Sequence, residues 1–480
     1  MSGGVTPHDM VTERIVDHCL SVDGDRPDLP KHLLDWVAVA VGGATHADST
    51  PAILDGVRRI ADQPADDASP SSGTEAAAGG RPGSATILGT GERVSPADAA
   101  LANGALAHSL DFDDTHLSSS LHPGAPTIAA TLAAAEAENA PMERFRAGIA
   151  AGYDVACTVG EAVGPDAHYA RGFHVTATCG TFGATAAAGV VRGLDEDQLR
   201  NAFGIAGSQA AGSLQFLANG AWNKRLHPGL AARRAIEATD FAAAGVIGAA
   251  DPIDGEYGFL TGYTDDPRPE AFERLGDRDA VAETGLKPYP CCRYLHAAID
   301  ALREISPDVD PDTVDDVHVA IPGAGVRLTG EPIDEKRRPD GFVDCQFSAP
   351  FVTALVLIEG GAGAEPFLRA VGRLDAEPTW SDPAYRRIMD ATTVSTDEEI
   401  EARFPEEWGA RVSVTAAGET HERSISDPFG EPDRPMSTAD VREKTRGLLT
   451  GGSVDPTDVI RVTDALDKHT VADLVDAATR

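Results

Sequence analysis

The residues of this chain best suited to chemistry lie in one short stretch, residues 107–136, which reads AHSLDFDDTHLSSSLHPGAPTIAATLAAAE. Three histidines, three aspartates and a threonine crowd its first half: His108, His116, His122, Asp111, Asp113, Asp114 and Thr115. An imidazole changes its protonation state near neutral pH, and a neighbouring carboxylate can orient it. This composition predicts general acid–base catalysis.

The second half of this stretch is rich in alanine and predicts a buried helix that begins just after His122. Pro123 supports this start, because proline is favoured at the first helical position, where its missing N–H would be unpaired anyway. The free N–H groups and the dipole at such an end attract anions. We therefore expect a substrate carboxylate to dock beside His122.

The three aspartates have two interpretations. Carboxylates could chelate a divalent metal through their oxygens. They could instead orient histidines and serve as base or hydrogen-bond acceptor. The neighbouring histidines favour His–Asp proton-transfer pairs over a cage for a hard cation, so no metal is expected.

Two further segments repeat the pattern of a histidine at a helix start. RGFHVTATCG places His174 before a helical run, and NKRLHPG places His227 before Pro228, with Lys224 and Arg225 just upstream. Helix ends of this kind bind anions. His122, His174 and His227 are thus all expected beside anion sites.

Lysine is scarce, since six Lys stand against 34 Arg, and two of the six lie in these unusual segments. Lys224 is in NKRLHPG, and Lys287 opens KPYPCCRYLH, which also holds Arg293 and His296. A lysine is a compact charge that suits a carboxylate. Such a cationic set in an acidic protein predicts a small polyanionic substrate.

The elements that must position these residues are mostly helices. Apolar periodicity predicts two helices within 8–44, one over 51–62, one from Ser95 and Pro96, and a helical run from 124 to 250. The individual helices of that run are predicted at 125–138, 143–163, 176–192, 195–211 and 229–247. Residues 63–84 predict a surface loop, because they are rich in Ser, Gly and Pro and lack periodicity.

The pattern changes near residue 284. Strand-like alternation appears in DVHVAI, ARVSVTAA and THERSIS, between helices such as CQFSAPFVTALVLIEGG, and three short helical patterns follow DPFGEPDRP. The sequence predicts a mainly α protein. A large helical domain is expected over 1–283 and 428–480, with a smaller α+β lid domain over 284–427.

Composition narrows the class of protein. The net charge of −36 argues against nucleic acid as a partner, because phosphate binding needs a basic surface. Acidic residues spread along the whole chain, with little Lys, predict a protein that works in very high salt, where the Debye length is about 3 Å at 1 M.

Six scattered cysteines without a CxxC argue against zinc and iron–sulfur sites. The sequence holds neither an apolar signal core nor a long apolar run, so a cytoplasmic protein without a membrane partner is expected.

Several segments together resemble the MmgE/PrpD family. They are the opening stretch, GFHVTATCGTFGATAAAGVVRGL, NKRLHPG, KPYPCCRYLHAAID and DCQFSAPFVTALV, in the family's order and spread from about residue 87 to 354. PMSTADVREKTRGLL resembles the family's C-terminal helix. The resemblance implies a helical domain formed by both chain ends, a smaller lid, a homodimer and no iron–sulfur cluster or other cofactor.

The family's active-site positions fall on six residues of this chain: Asp111, Thr115, His122, His174, Lys224 and His296. His122 and His174 are expected to be the acid–base pair, with the assignment of acid and base open. Asp111 would orient an imidazole or act as a base, Lys224 would hold a carboxylate, and Thr115 and His296 would complete the contacts to the substrate. Further substrate contacts are expected from Arg225, His227, Lys287 and Arg293.

The implied function is a metal-independent lyase that dehydrates a 2-methylcitrate-like hydroxy tricarboxylate. The alternatives within the family are decarboxylation of cis-aconitate and epimerisation of a small dicarboxylate. Similar decarboxylases carry a tyrosine after the first lid strand, and IPGAGVRL at 321–328 has none, which favours dehydration. Outside this chemistry, a metal-dependent hydrolase or lyase using the DFDD carboxylates and a non-catalytic tricarboxylate-binding protein remain as alternatives.

Overall fold

The computed structural model describes residues 11–61, 84–374, 377–404 and 407–479. The expected surface loop over 63–84 lies outside the described residues except for its last position. The chain divides into two compact units. The first comprises the described residues within 1–109, 113–284 and 452–480, and the second comprises those within 110–112 and 285–451.

The first unit is helical and begins with eleven α-helices among the described residues. They are α1 (Val11–Ser21), α2 (Leu29–His46), α3 (Thr50–Ala61), α4 (Pro96–His108), α5 (Gly124–Glu138), α6 (Met142–Ala162), α7 (Pro165–Ala170), α8 (Val175–Arg192), α9 (Glu196–Gly207), α10 (Asn223–Ala243) and α11 (Phe259–Tyr263). Two short antiparallel strands, β1 (Ala85–Thr86) and β2 (Arg93–Val94), and 3₁₀ helices at Leu214–Ala218 and Pro269–Arg274 accompany them.

The second unit combines helices with a four-stranded sheet. Its helices are α12 (His296–Ile305), α13 (Gly323–Gly325), α14 (Ile333–Lys336), α15 (Phe342–Gln346), α16 (Ala349–Glu359), α17 (Ala364–Ala370), α18 (Pro383–Ala391), α19 (Glu398–Glu401) and α20 (Thr438–Leu449). Its strands are β3 (Val314–Ile321), β4 (Thr392–Thr396), β5 (Ala410–Ala416) and β6 (Glu419–Ile425). The chain then returns to the first unit with α21 (Pro456–Thr463) and α22 (Val471–Ala477).

The centre of the first unit is built from helices that are buried on every side. Every residue of α5 from Gly124 to Ala135 is buried, and α8 is almost as fully enclosed. Alanine and glycine dominate both helices, so neighbouring helices α4, α6 and α10 pack closely against them. The mainly helical character and the buried helix after His122 are confirmed.

Helices α4 and α10 meet backbone to backbone at two glycines. A Cβ added to Gly104 would lie 2.8 Å from the Cα of Gly229, and one added to Gly229 would collide with the carbonyl oxygen of Leu101. Only glycine permits this approach. It holds the end of α4, at His108, close to the first turns of α10.

The sheet of the second unit has the strand order β4-β3-β5-β6. β3 pairs parallel to β4, with Val317 opposite Thr392, and antiparallel to β5, with Val319 opposite Val412. Alternate residues of β5 are buried, and α12, α16 and α18 pack on the unit's strands. The predicted strands over DVHVAI, ARVSVTAA and THERSIS are confirmed, whereas β4 lay outside the sequence prediction.

Residues 428–451 lie in the second unit rather than with the helices of the first. Helix α20 packs on α17, and the Lys444 ammonium donates a hydrogen bond to the carbonyl oxygen of Phe112 over 2.8 Å. Phe112 belongs to the same unit, so α20 and the 110–112 segment are fixed together.

Within the described residues, no single helix has the length and apolar composition of a membrane span. The pair α16 and α17 meets that test only when joined across a break at which the chain bends by 112°.

Candidate active site

The loop between α4 and α5 brings a carboxylate between two imidazoles. One oxygen of Asp113, Oδ2, lies 2.7 Å from Nδ1 of His108 and 3.2 Å from Nδ1 of His122. Asp113 is 1% exposed. Burial raises the pKa of Asp113, but the two imidazoles outweigh burial and hold this pKa well below its usual range. The group is therefore an anion that accepts a hydrogen bond from Nδ1 of His108 and lies in charge contact with Nδ1 of His122.

The helix end beside His122 already holds a carboxylate of the protein itself. Asp114 accepts a hydrogen bond from the N–H of Gly124, the first residue of α5, over 3.1 Å, and another from the hydroxyl of Tyr153 over 2.6 Å. The expectation that this helix end awaits a substrate carboxylate is wrong at Gly124, because Asp114 caps it. His122 is anchored separately, since its main-chain N–H donates to Oγ1 of Thr176 over 3.1 Å.

His174 and His227 form a second imidazole pair. Their Nδ1 atoms lie 2.9 Å apart, so one ring donates the proton and the other accepts it. His174 is the N-cap residue of α8, as predicted. His227 is not at a helix start, because α10 begins at Asn223, four residues earlier. The segment NKRL contains no helix breaker, so the helix starts before the His-Pro pair.

Burial keeps this second pair neutral. Burial, together with the nearby charges of His108, Arg234 and Lys224, lowers the pKa of His227 to about 4. Burial, followed by the charge of His227, likewise places the pKa of His174 well below its ordinary range. Phe216 packs edge-on against both rings, with ring centroids 5.8 Å and 5.7 Å away. The pair is thus held in place by packing and by its shared proton.

Lys224 and Thr115 add a cation and an unpaired hydroxyl to the histidines and the aspartate of the first unit's candidate site. The ammonium of Lys224, in the first turn of α10, lowers the pKa of His108, His174 and His227, so its charge acts on both imidazole pairs. The hydroxyl of Thr115 is buried without a hydrogen-bond partner among the described residues. Such a group lacks compensation for its desolvation and is ready to bind a polar ligand atom.

The guanidinium of Arg225, in contrast, is already paired with another side chain of the protein. Its guanidinium is 6% exposed and forms an ion pair with Asp48. The first unit thus contains six of the ten predicted site residues: Thr115, His122, His174, Lys224, Arg225 and His227. Arg225 has a structural partner instead of the free position expected for substrate binding.

The other four predicted residues, Asp111, Lys287, Arg293 and His296, lie in the second unit. Lys287 is 1% exposed, and its ammonium donates to the main-chain oxygen of Asp111 over 2.7 Å and lies 3.2 Å from the carboxylate. Asp111 has a φ of 51°, a left-handed conformation that is unusual outside glycine. Lys287 therefore stabilises a strained backbone segment.

Arg293 and His296 contact each other inside this unit. Nη1 of Arg293 lies 2.9 Å from Nδ1 of His296, and the same guanidinium pairs with the buried carboxylate of Glu431. Burial, reinforced by the charges of Arg293 and Lys287, places the pKa of His296 well below its ordinary range. His296 is therefore a neutral imidazole, and the charge of Arg293 is balanced by Glu431.

Two groups of side chains have ligand atoms close enough for a metal ion, all within 4.8 Å of one another: His108, Asp113 and His122, and His116, Glu161 and Glu283. In the second group the Arg278 guanidinium already bonds Glu161 at 3.1 Å and lies 3.3 Å from Nε2 of His116. The His116 imidazole, whose Nε2 atom lies 3.6 Å from the Glu283 carboxylate, outweighs burial and, aided by Arg278, lowers the pKa of Glu283 to about 2. That group is an ion-pair network around an arginine.

The contribution of Asp113 and His108 was missed when the site residues were selected from the sequence. Both lie in the stretch that the sequence singled out, but nothing in their spacing distinguishes Asp113 from Asp111 or Asp114. Only the path of the loop decides which carboxylate meets the imidazoles. Taken together, the first unit offers two differently paired imidazoles, a lysine and an unpaired hydroxyl, a set able to accept and donate protons beside a cation.

Two family models and several known proteins are similar to most of this chain. The MmgE/PrpD N-terminal domain model matches residues 28–271, and the MmgE/PrpD C-terminal domain model matches residues 289–467. A cis-aconitate decarboxylase-like protein of Aspergillus oryzae is 29% identical over 394 residues, 77% of this chain and 78% of that protein. Cis-aconitate decarboxylases of Aspergillus terreus and Homo sapiens are 25% and 28% identical, over 80% and 76% of this chain and 80% and 75% of their own lengths.

Proposed function

The chain belongs to the MmgE/PrpD family, and from that premise we propose that it is a metal-independent lyase that dehydrates a 2-methylcitrate-like hydroxy tricarboxylate. The observation that carries this proposal is that two imidazoles have different partners. His122 lies beside the carboxylate of Asp113, and His174 lies beside the imidazole of His227. Dehydration takes one proton from carbon and gives one to the leaving hydroxyl, and two such groups suit these two transfers.

The reaction balances as follows. One imidazole accepts the proton from the carbon adjacent to a carboxylate, and the electrons of that C–H bond form the C=C bond. The C–O bond breaks, and the leaving hydroxyl departs as water with a proton from the other imidazole, which enters the reaction as an imidazolium because the carboxylates of the bound substrate favour its charged form. The Lys224 ammonium offsets the negative charge that develops on the carboxylate, and the Thr115 hydroxyl binds a substrate oxygen.

Decarboxylation of cis-aconitate is the second candidate, and the names of the Aspergillus and human relatives favour it. In that reaction a C–C bond breaks, CO₂ leaves, and one imidazole delivers a proton to carbon. It needs only one proton donor. The two imidazole pairs of the first unit therefore fit dehydration better.

Proton NMR of the purified protein in multimolar KCl with EDTA tests both candidates. 2-Methylcitrate, citrate and cis-aconitate are supplied in turn, and His174→Gln protein, prepared in parallel, controls for contaminating enzymes. A new alkene signal from a hydroxy acid supports the dehydratase. Formation of itaconate and CO₂ from cis-aconitate would show that the protein is a decarboxylase and not a dehydratase. Activity that appears only when a divalent ion is added back would contradict metal independence, and silence with all three acids would refute the proposed substrate class.

We also propose that the protein is a homodimer. Six large apolar side chains are exposed within residues 217–257 of the first unit: Leu217, Trp222, Phe241, Val246, Ile247 and Tyr257. Exposed apolar surface of this kind marks interaction sites more often than chance. Analytical ultracentrifugation in KCl should give a mass near twice the 50.0 kDa of the chain, and a monomer would contradict the proposal.

A further inference from the structure

Asp113 is not among the residues that family resemblance places in the site, yet its carboxylate contacts the ring of His122. Its Oδ2 atom lies 3.2 Å from Nδ1 of His122 and 2.7 Å from Nδ1 of His108. The neighbouring Asp114 is engaged by Tyr153 and by the N–H of Gly124. The two adjacent aspartates therefore have separate tasks.

We propose that Asp113 is a positioning residue that fixes His122 with its proton on Nδ1, so that Nε2 of His122 is the proton acceptor of the reaction. An ionised carboxylate has no hydrogen to donate and repels a nitrogen lone pair, so the ring nitrogen of His122 that lies 3.2 Å from it carries the hydrogen. In a neutral imidazole the other nitrogen then has the free electron pair. The inference rests on the proposed lyase function, and it assigns the base that the sequence left open.

His122 is the better placed of the two rings that share Asp113. Its side chain is 13% exposed, whereas that of His108 is 0% exposed. The hydrogen bond from its main chain to Thr176 fixes it to the start of α8. His108, at the end of α4, forms a hydrogen bond with the same carboxylate oxygen and so restrains the position of Asp113.

The second pair supplies the contrast. His174 faces another imidazole, because its Nδ1 atom lies 2.9 Å from that of His227. A carboxylate stabilises an imidazolium, whereas a second imidazole does not carry a compensating charge. His122 therefore has a charged partner for the imidazolium that forms when its ring accepts a proton, whereas the partner of His174 is a neutral ring.

Nitrogen NMR of protein labelled with ¹⁵N-histidine tests this assignment without any turnover. The chain has 14 histidines, and the spectrum of His122→Gln identifies the signals of His122 by difference. We expect the wild-type protein, at a pH where the ring is neutral, to carry its proton on Nδ1. In Asp113→Asn, we expect the proton on Nε2 or a mixture of both forms. A wild-type ring protonated on Nε2 would overturn the proposal, even if the enzyme proves active.

Kinetics give the second readout. Asp113→Asn removes the charge and preserves the volume, so kcat should fall by about 10²–10⁴-fold, with KM changed less than about threefold. The pKa on the acidic limb of the kcat/KM profile should also move to lower pH, because the imidazolium loses its carboxylate. An unchanged acidic limb would reduce Asp113 to a structural residue and refute the proposal.

Asp114→Asn is the matched control. This change weakens the cap of α5 and the bond to Tyr153, so it should lower thermal stability while the His122 tautomer and the acidic limb stay as in the wild type. A shift of the acidic limb equal to that of Asp113→Asn would contradict the separate tasks of the two aspartates.

A zinc measurement gives a further test. If the wild-type protein kept one zinc ion per chain after dialysis against EDTA and Asp113→Asn lost it, the assignment would be overturned, because Nδ1 of His122 would then be a metal ligand.

If no acid is turned over, the NMR result alone decides the tautomer, so failure of the proposed function and failure of this inference remain distinguishable.

Discussion

Substituting Gly229 by alanine should test whether the close contact of α4 and α10 positions the site. A Cβ at Gly229 would collide with the carbonyl oxygen of Leu101 and would lie 3.0 Å from the main-chain nitrogen of Ala105. The helices must therefore move apart. The end of α4 carries His108, and the first turns of α10 carry Lys224 and His227, so the movement acts directly on both imidazole pairs.

The expected magnitude follows from two opposing contributions. Overpacking a buried contact costs about 1–3 kcal/mol, occasionally more, and because both clashing atoms belong to the backbone the cost lies at the upper end. Replacing glycine by alanine in a helix interior stabilises the folded state by about 1 kcal/mol. We expect Gly229→Ala to lower stability by about 2 kcal/mol. A misplacement of catalytic groups by about 1 Å can cost about 10²-fold in rate, so kcat/KM should fall by that order.

Gly56→Ala is the control, because Gly56 lies inside α3 and a Cβ there would meet nothing within 4 Å. It should raise stability by up to about 1 kcal/mol and leave kcat/KM unchanged. Denaturant midpoints and the NMR turnover assay measure both effects in the same KCl buffer. Wild-type stability and activity in Gly229→Ala would refute the idea that this glycine contact sets the geometry of the site.

Three further outcomes are expected. Burial holds the folded-state pKa of His168 and of His227 at about 4, against 6.5 for an ordinary histidine, so the unfolded chain binds more protons between these values. Stability should therefore fall as pH decreases through that window, by up to about 1.4 kcal/mol per pH unit for each such histidine, and a flat Tm from pH 6.5 to 4 would contradict this. Because the net charge is −36, Tm should rise with KCl, mostly below about 1 M, where screening lengths become short; a Tm independent of KCl would remove the halophilic interpretation. His174→Ala and Lys224→Ala should each lower kcat by about 10²–10⁴-fold, and a wild-type rate in either folded variant would exclude that residue from catalysis.

The sequence alone determined the parts of this protein that depend on local patterns. The alanine-rich runs after His122 and His174 predicted α5 and α8, because alanine favours helices and a helix with very few charged side chains is buried. Alternation in ARVSVTAA gave β5, since successive strand residues face opposite sides. The ordered signature segments were enough to assign the family.

Only the tertiary structure decided how the candidate site residues are paired. His174 and His227 share a proton although 53 positions separate them, and Arg225 is paired with Asp48, 177 positions away. Such contacts depend on which helices pack together, and local sequence does not encode that.

The carboxylates of DFDD show the same limit within four residues. Asp111 contacts Lys287, Asp113 contacts two imidazoles, and Asp114 caps α5. Their residue type and spacing are equivalent, so the sequence could predict an aspartate beside a histidine but not which one. The backbone of the loop, including the left-handed Asp111, turns each side chain toward a different partner and so determines its chemistry.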